Sequence, residues 1–151
     1  MIEVSRETPR QDEVVALIRQ SDALMQSLYP AESNHLVDID SLAEPHVHFF
    51  VGRENGTVLG CGAFVISTNG HAEMKRVFVN SEARGKGVAR AIMEALEREA
   101  ARIGVTTMQL ETGIKQPEAI ALYRKFGYVE RGPFGAYQPD PLSLFMEKKL
   151  A

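Results

Sequence analysis

Apolar residues Val14, Leu17, Ile18, Met25 and Leu28 recur near helical spacing with polar residues between them, which predicts an amphipathic helix as the first long element. Thr8 is placed to cap it, Pro9 to take its first position and Gln11 to complete a capping box, while Tyr29-Pro30 ends it. A short apolar start precedes it at residues 2–4, and a polar, irregular stretch follows at residues 31–45, with one helical turn after Asp38. Periodicity then changes. Residues 48–67 carry β-prone runs on both sides of Asn55-Gly56, the strongest short hairpin signal, and residues 71–80 extend the sheet through a turn at Asn69-Gly70.

A Gly-rich turn then leads into a second amphipathic helix, with Val88, Ile92, Ala95, Leu96 and Ile103 on one face and Gly104 at its C-terminal end. Residues 105–112 return as a strand. Pro117 opens another helix carrying Ile120, Tyr123 and Phe126, and Gly127 closes it; residues 128–150 read as two strands around a loop rich in Gly and Pro. A meander followed by strand, helix, strand and helix predicts an α+β fold with one parallel crossover and helices covering the sheet. The length of 151 residues suits one domain over residues 1–151, with a single core that buries roughly two thirds of the unfolded surface.

Composition narrows the partners. Hydrophobic residues at 44% and charged residues at 25% are the balance of an ordinary globular domain, and a net charge of −3 argues against general nucleic-acid binding. The first ten residues lack the apolar core of a secretory signal, and no apolar run is long enough to span a bilayer, so the expectation is a cytoplasmic protein with no membrane partner. Cys61, the only cysteine, reads as a small buried strand residue, since no neighbouring base is evident. His46 and His48 share a strand face without a third ligand, so no metal is expected.

Against the mildly acidic background, "ARGKGVAR" (residues 83–90) is a local basic cluster between strand and helix. Such a turn presents free backbone N–H groups at the positive end of a helix dipole, where Gly85 and Gly87 admit an anion closely and Arg84, Lys86 and Arg90 add charge. A Walker loop is excluded because Lys86 is followed by Gly87 and Val88, and a dinucleotide fingerprint because Arg90 stands where its third glycine belongs.

The turn does satisfy Arg/Gln-x-x-Gly-x-Gly/Ala at Arg84, Gly87 and Ala89, and "QPEAIALYRKFGY" (residues 116–128) follows Asn-x-x-Ala-x-x-Leu-Tyr-x-x-x-Gly-Phe, with Gln116 for Asn and Tyr128 for Phe. On these two motifs and the order of elements the chain resembles the GNAT superfamily of N-acetyltransferases, and "LYPAESNHLVDIDSL" (residues 28–42) and "FGAYQPDPLSLFMEKKL" (residues 134–150) further resemble a bacterial subgroup of it. The resemblance implies a mixed, mostly antiparallel sheet of six to seven strands flanked by about four helices. It also implies acetyl-coenzyme A as co-substrate. Its pyrophosphate would lie on Arg84, Gly85, Lys86, Gly87, Val88, Ala89 and Arg90, its pantetheine arm along Val77, Phe78 and Val79, with Gln116 and Tyr123 nearby. A peptide-like arm suits an exposed strand edge.

By the same resemblance Glu73 is the candidate general base, acting directly or through a water, and Tyr123 the acid toward the departing sulfur. Lys75 alternates onto the face of Glu73. The acceptor, expected to be a small-molecule or peptide amine, would meet residues 29–40 and the "FGAYQPDP" loop, where Glu32, His35, Tyr137 and Asp140 are the polar candidates. Other readings are a coenzyme-binding module without turnover, another acyl group, or a hydroxyl acceptor. A homodimer is an expectation of the resemblance alone.

Overall fold

A computed structural model describes residues 1–33, 38–68 and 70–150. In chain order the strands are β1 (Ile2–Arg6), β2 (Val47–Glu54), β3 (Thr57–Thr68), β4 (His71–Val79), β5 (Thr107–Gly113), β6 (Val129–Arg131) and β7 (Ser143–Lys149). The helices are α1 (Asp12–Leu28), α2 (Ile39–Leu42), α3 (Val88–Arg102) and α4 (Pro117–Lys125). All strands join one sheet in the order β1-β2-β3-β4-β5-β7-β6, and every pair is antiparallel except β4 with β5. This is the α+β architecture expected, with α3 as the parallel crossover.

The sheet is covered on both faces. One core gathers Phe64, Met74, Ile92, Leu96, Met108, Leu110, Tyr123, Tyr128 and Met146 beneath α3 and α4. The other gathers Val14, Leu17, Ile18, Leu42, Phe49, Val51 and Cys61 beneath α1 and α2. Strand alternation divides "GCG" between them: Cys61 points toward α1, while Gly60 and Gly62 face α3. A Cβ at Gly60 would lie 2.9 Å from Ile92, from Val88 and from the Phe78 carbonyl oxygen. These glycines let α3 sit directly on the sheet, which fixes where its first turn points.

Helix α1 begins later than expected. Gln11 is its cap residue and has no side-chain capping bond; instead its Nε2 donates to Glu7 Oε1 at 3.0 Å and its Oε1 accepts from Arg53 at 3.0 Å. The Thr8 hydroxyl accepts from Arg10 N–H at 3.2 Å and so forms a local turn ahead of the helix. Arg53 of β2, which also holds Glu7 at 2.9 Å, recruits the side chain that a capping box would have used. The turn after Asp38 forms as predicted, with the Asp38 carboxylate accepting from Ser41 N–H at 2.8 Å. Pro117 opens α4, and Asn55 and Gly56 make the hairpin turn with φ of 51° and 82°.

Replacing Gly60 by Val should overpack the α3 interface and lower stability by about 1–3 kcal/mol. A thermal melt unchanged from the parent protein would refute the close approach of α3 to the sheet.

Candidate active site

Strand β4 carries the site because its partner β5 leaves it half way. The parallel register runs from His71↔Thr107 to Met74↔Leu110 and stops. Beyond it a narrow cleft of about 120 Å³ opens, with Val77 and Phe78 on one wall and Leu110, Thr112 and Gly113 on the other. On the β3 side the register jumps from Ala63↔Lys75 to Cys61↔Phe78, so Arg76 and Val77 both stand opposite Gly62 as a bulge.

Arg76 takes the left-handed conformation there, φ 58°, which costs a side-chain-bearing residue about 1–2 kcal/mol. An ion pair with Asp22 of α1 at 2.6 Å, with the arginine side chain only 6% exposed, holds it in place. The Arg76 carbonyl also accepts from Cys61 Sγ at 3.4 Å. Burial pushes the Cys61 thiol up to about 12, so it stays a thiol and offers no covalent route.

A cavity of about 550 Å³ lies on one side of this cleft. Val77, Phe78 and Val79 line it with the strand edge that β5 has left, and Arg84, Gly85, Gly87, Val88, Ala89 and Arg90 line it with the turn into α3. Gly85 and Gly87 have φ of 85° and 79°, and a Cβ at either would meet no protein atom within 4 Å. Gly87 caps α3, whose first N–H groups lack intrahelical acceptors and point toward the turn. Arg84 and Arg90 are exposed; Arg84 lies 3.9 Å from Glu118, and Arg90 donates to Glu94 at 3.0 Å. Lys86 does not line the cavity; it reaches Glu54 at 3.6 Å instead.

Gln116 and Tyr123 border both the cavity and the cleft. The Gln116 Oε1 accepts from the Tyr29 hydroxyl at 3.5 Å, and that hydroxyl in turn accepts from Lys115 N–H at 3.0 Å. Tyr29, expected to end α1 and to open the segment facing the acceptor, roofs the cleft. It lies so close over Gly113 that any side chain there would collide with its ring. Tyr123 is buried, meets Tyr128 edge to face at 6.0 Å, and has its phenol pushed up to about 12, by burial first and by Glu111 second.

On the opposite side of the cleft is an open cavity of about 1330 Å³ lined by Glu32, Ser33, His71, Glu73, Lys75, Arg131, Phe134, Tyr137 and Asp140, among others. Glu73 stands at its junction with the cleft. Its Oε2 lies 3.2 Å from Lys75 Nζ and accepts from the Tyr137 hydroxyl at 2.5 Å. Burial, then the hydrogen bond and charge of Glu73, raise the Tyr137 phenol, which stays protonated.

The remaining candidates separate. Glu32 is exposed on the wall of the large cavity, and His35 lies outside the described residues. Asp140 ties the loop down, accepting from Ser33 Oγ at 2.7 Å and from Leu142 N–H at 2.8 Å. His48 stacks on Phe64 at 4.4 Å, and no group of three metal-ligating side chains occurs among the described residues. No helix among those residues is long and apolar enough to cross a membrane.

The Acetyltransferase (GNAT) family profile matches residues 14–128. The IAA acetyltransferase of Azospirillum brasilense is 53% identical over 150 residues, 99% of this chain and 98% of its own. A crystal structure of a Klebsiella pneumoniae protein assigned as an acyl-CoA N-acyltransferase is 38% identical and superposes with a TM-score of 0.85 over 100% of this chain and 99% of its own. The PaiA N-acetyltransferase of Thermoplasma acidophilum, solved with coenzyme A, has the same fold at 17% identity, with a TM-score of 0.76 over 99% of each chain. Together with the strand, turn and helix geometry, these matches establish that the chain belongs to the GNAT family of acetyltransferases and is an acyltransferase.

Proposed function

We propose that this protein moves the acetyl group of acetyl-coenzyme A directly to a primary amine of a small molecule or peptide. The observation that carries the reading is the sequence of three connected spaces. The turn cavity shares Val77, Phe78, Gln116 and Tyr123 with the cleft, and the cleft shares Ser33, Glu73, Lys75, Tyr137 and Leu142 with the large cavity. A donor entering from one side and an acceptor from the other would meet at the parting of β4 and β5.

The chain's own groups fit the donor. Unpaired N–H groups at the start of α3, two left-handed glycines and the cations Arg84 and Arg90 suit a pyrophosphate. The free edge of β4 at Val77, Phe78 and Val79 suits the amides of a pantetheine arm. Acetyl-coenzyme A would supply the activated acyl group. Resident at the junction, Glu73 takes the proton of the attacking amine. Tyr123 lends a hydrogen bond to the departing sulfur. With burial pushing its phenol up to about 12, Tyr123 holds its proton more tightly than a thiol would, so hydrogen bonding is the stronger role for this tyrosine. Glu32 is the polar wall residue most open to an incoming ammonium group.

Release of free thiol from acetyl-coenzyme A, followed across amines that include tyramine, spermidine, an amino-acid amide and a peptide N-terminus, tests the reading. At least one amine should raise release well above hydrolysis. Tight coenzyme binding with no responsive amine would instead mark a coenzyme-binding module, and a preference for propionyl-coenzyme A or for a hydroxyl acceptor would redirect the assignment.

Gly87→Glu places a carboxylate and a disfavoured φ where the pyrophosphate belongs, and it should weaken coenzyme A binding by more than about tenfold in calorimetry. Affinity equal to the parent's would remove the phosphate assignment. Tyr123→Phe should lower kcat by about 10- to 100-fold with little change in KM for acetyl-coenzyme A. Because the phenol titrates near 12, the substitution should leave any alkaline limb below pH 10 where it was; an unchanged kcat returns Tyr123 to the core.

A further inference from the structure

Tyr137, expected to touch the acceptor, lines the large cavity and donates its hydroxyl to Glu73. Among the described residues, two partners reach the Glu73 carboxylate, Tyr137 at 2.5 Å and Lys75 at 3.2 Å, and both take Oε2. The Tyr137 oxygen in turn accepts from Lys75 Nζ at 3.4 Å, which orients its O–H toward the glutamate. The three side chains close a triangle. The phenol's hydrogen bond and the lysine's ion pair both fall on Oε2, which leaves Oε1 as the oxygen with the greater capacity to accept.

The residue that completes the triangle is held from elsewhere in the fold. Tyr137 packs its ring on Phe134 at 5.2 Å and on Phe145 of β7 at 5.4 Å. Its loop is tied to the segment after α1 by the Ser33 to Asp140 hydrogen bond. Phe145 is buried, so the hydroxyl position is inherited from the core and not from the loop alone.

We infer that Tyr137 is a positioning residue for Glu73: with Lys75 it anchors Oε2 and turns Oε1 into the junction as the proton-accepting atom. The inference rests on the reading of Glu73 as the base. In the step it serves, an ammonium N–H bond breaks, its electron pair stays on nitrogen, and the proton forms an O–H bond with Oε1. Tyr137 keeps its own proton throughout.

A mutant cycle with Tyr137→Phe, Glu73→Gln and the double variant tests this, using tyramine as the amine probe and acetyl-coenzyme A as donor. Phenylalanine keeps the ring packing, and thermal melts report any loss of fold. Tyr137→Phe should lower kcat by about 10- to 100-fold without raising KM for tyramine, and should add nothing further in the Glu73→Gln background. An equal loss in both backgrounds, or a change confined to KM for the amine, overturns the positioning role and makes Tyr137 an acceptor contact. A Glu73→Gln enzyme with full activity removes the base assignment itself, a distinct failure. Crystal structures of the parent and of Tyr137→Phe give a readout that needs no turnover. Glu73 should leave its Oε2-anchored orientation in the variant, and an unmoved carboxylate would overturn the inference.

Discussion

The parting of β4 from β5 is the constraint on which the rest of this molecule depends. A parallel pair that continued past Met74 and Leu110 would bury the edge of β4 in a ladder and leave no place for a ligand. The Arg76 bulge helps to prevent it, and a bulge at a side-chain-bearing residue in left-handed backbone persists only where its surroundings hold it. Here they do so from three directions. Asp22 of α1 pairs with the guanidinium, Cys61 of β3 bonds the carbonyl, and Gly62 supplies a position with no side chain opposite the extra residue.

The packing of the helices sets the spaces around that parting. Seating α3 on Gly60 and Gly62 brings its N-terminal turn beside the freed edge of β4, so the phosphate-type turn and the peptide-like edge face a common cavity. The α4 helix then delivers Gln116 and Tyr123 to the cleft from the side of the splayed strand, while the loop between β6 and β7 delivers Tyr137 from the other. Helices are placed by packing and the acidic side chain by strand alternation. The side chains that line the cleft therefore arrive mainly on rigid elements, with one loop side chain packed against the core beside them.

Electrostatics divides the two sides of the cleft. Tyr123 is buried with a phenol displaced toward strong alkali, which makes it a lasting hydrogen-bond donor. Glu73, with side-chain exposure of 14%, stays in contact with the open cavity and shares one oxygen between a phenol and an ammonium group. A phenol that keeps its proton and a carboxylate with one oxygen left to accept are the two groups on which the proposed acetyl transfer rests.

How much of this was legible in the chain differs from element to element. The Asn55-Gly56 hairpin, Pro117 at the start of α4 and the Gly-rich turn at residues 84–90 rest on local backbone chemistry, and each is where the pattern of residues put it. Glu73 and Lys75 are two apart on a strand, so their shared face was also readable. The start of α1 was misread because Arg53, distant in sequence, captures Gln11. The roof formed by Tyr29 over Gly113, the Asp22 to Arg76 pair and the hold of Tyr137 on Glu73 join residues 84, 54 and 64 positions apart. No local periodicity encodes such pairings, because they are set by which faces of a twisted sheet and its covering helices meet. The sequence by itself determined the family and the place of the Gly-rich turn; the tertiary structure alone decided which side chains share the junction, since only packing brings them within hydrogen-bond reach.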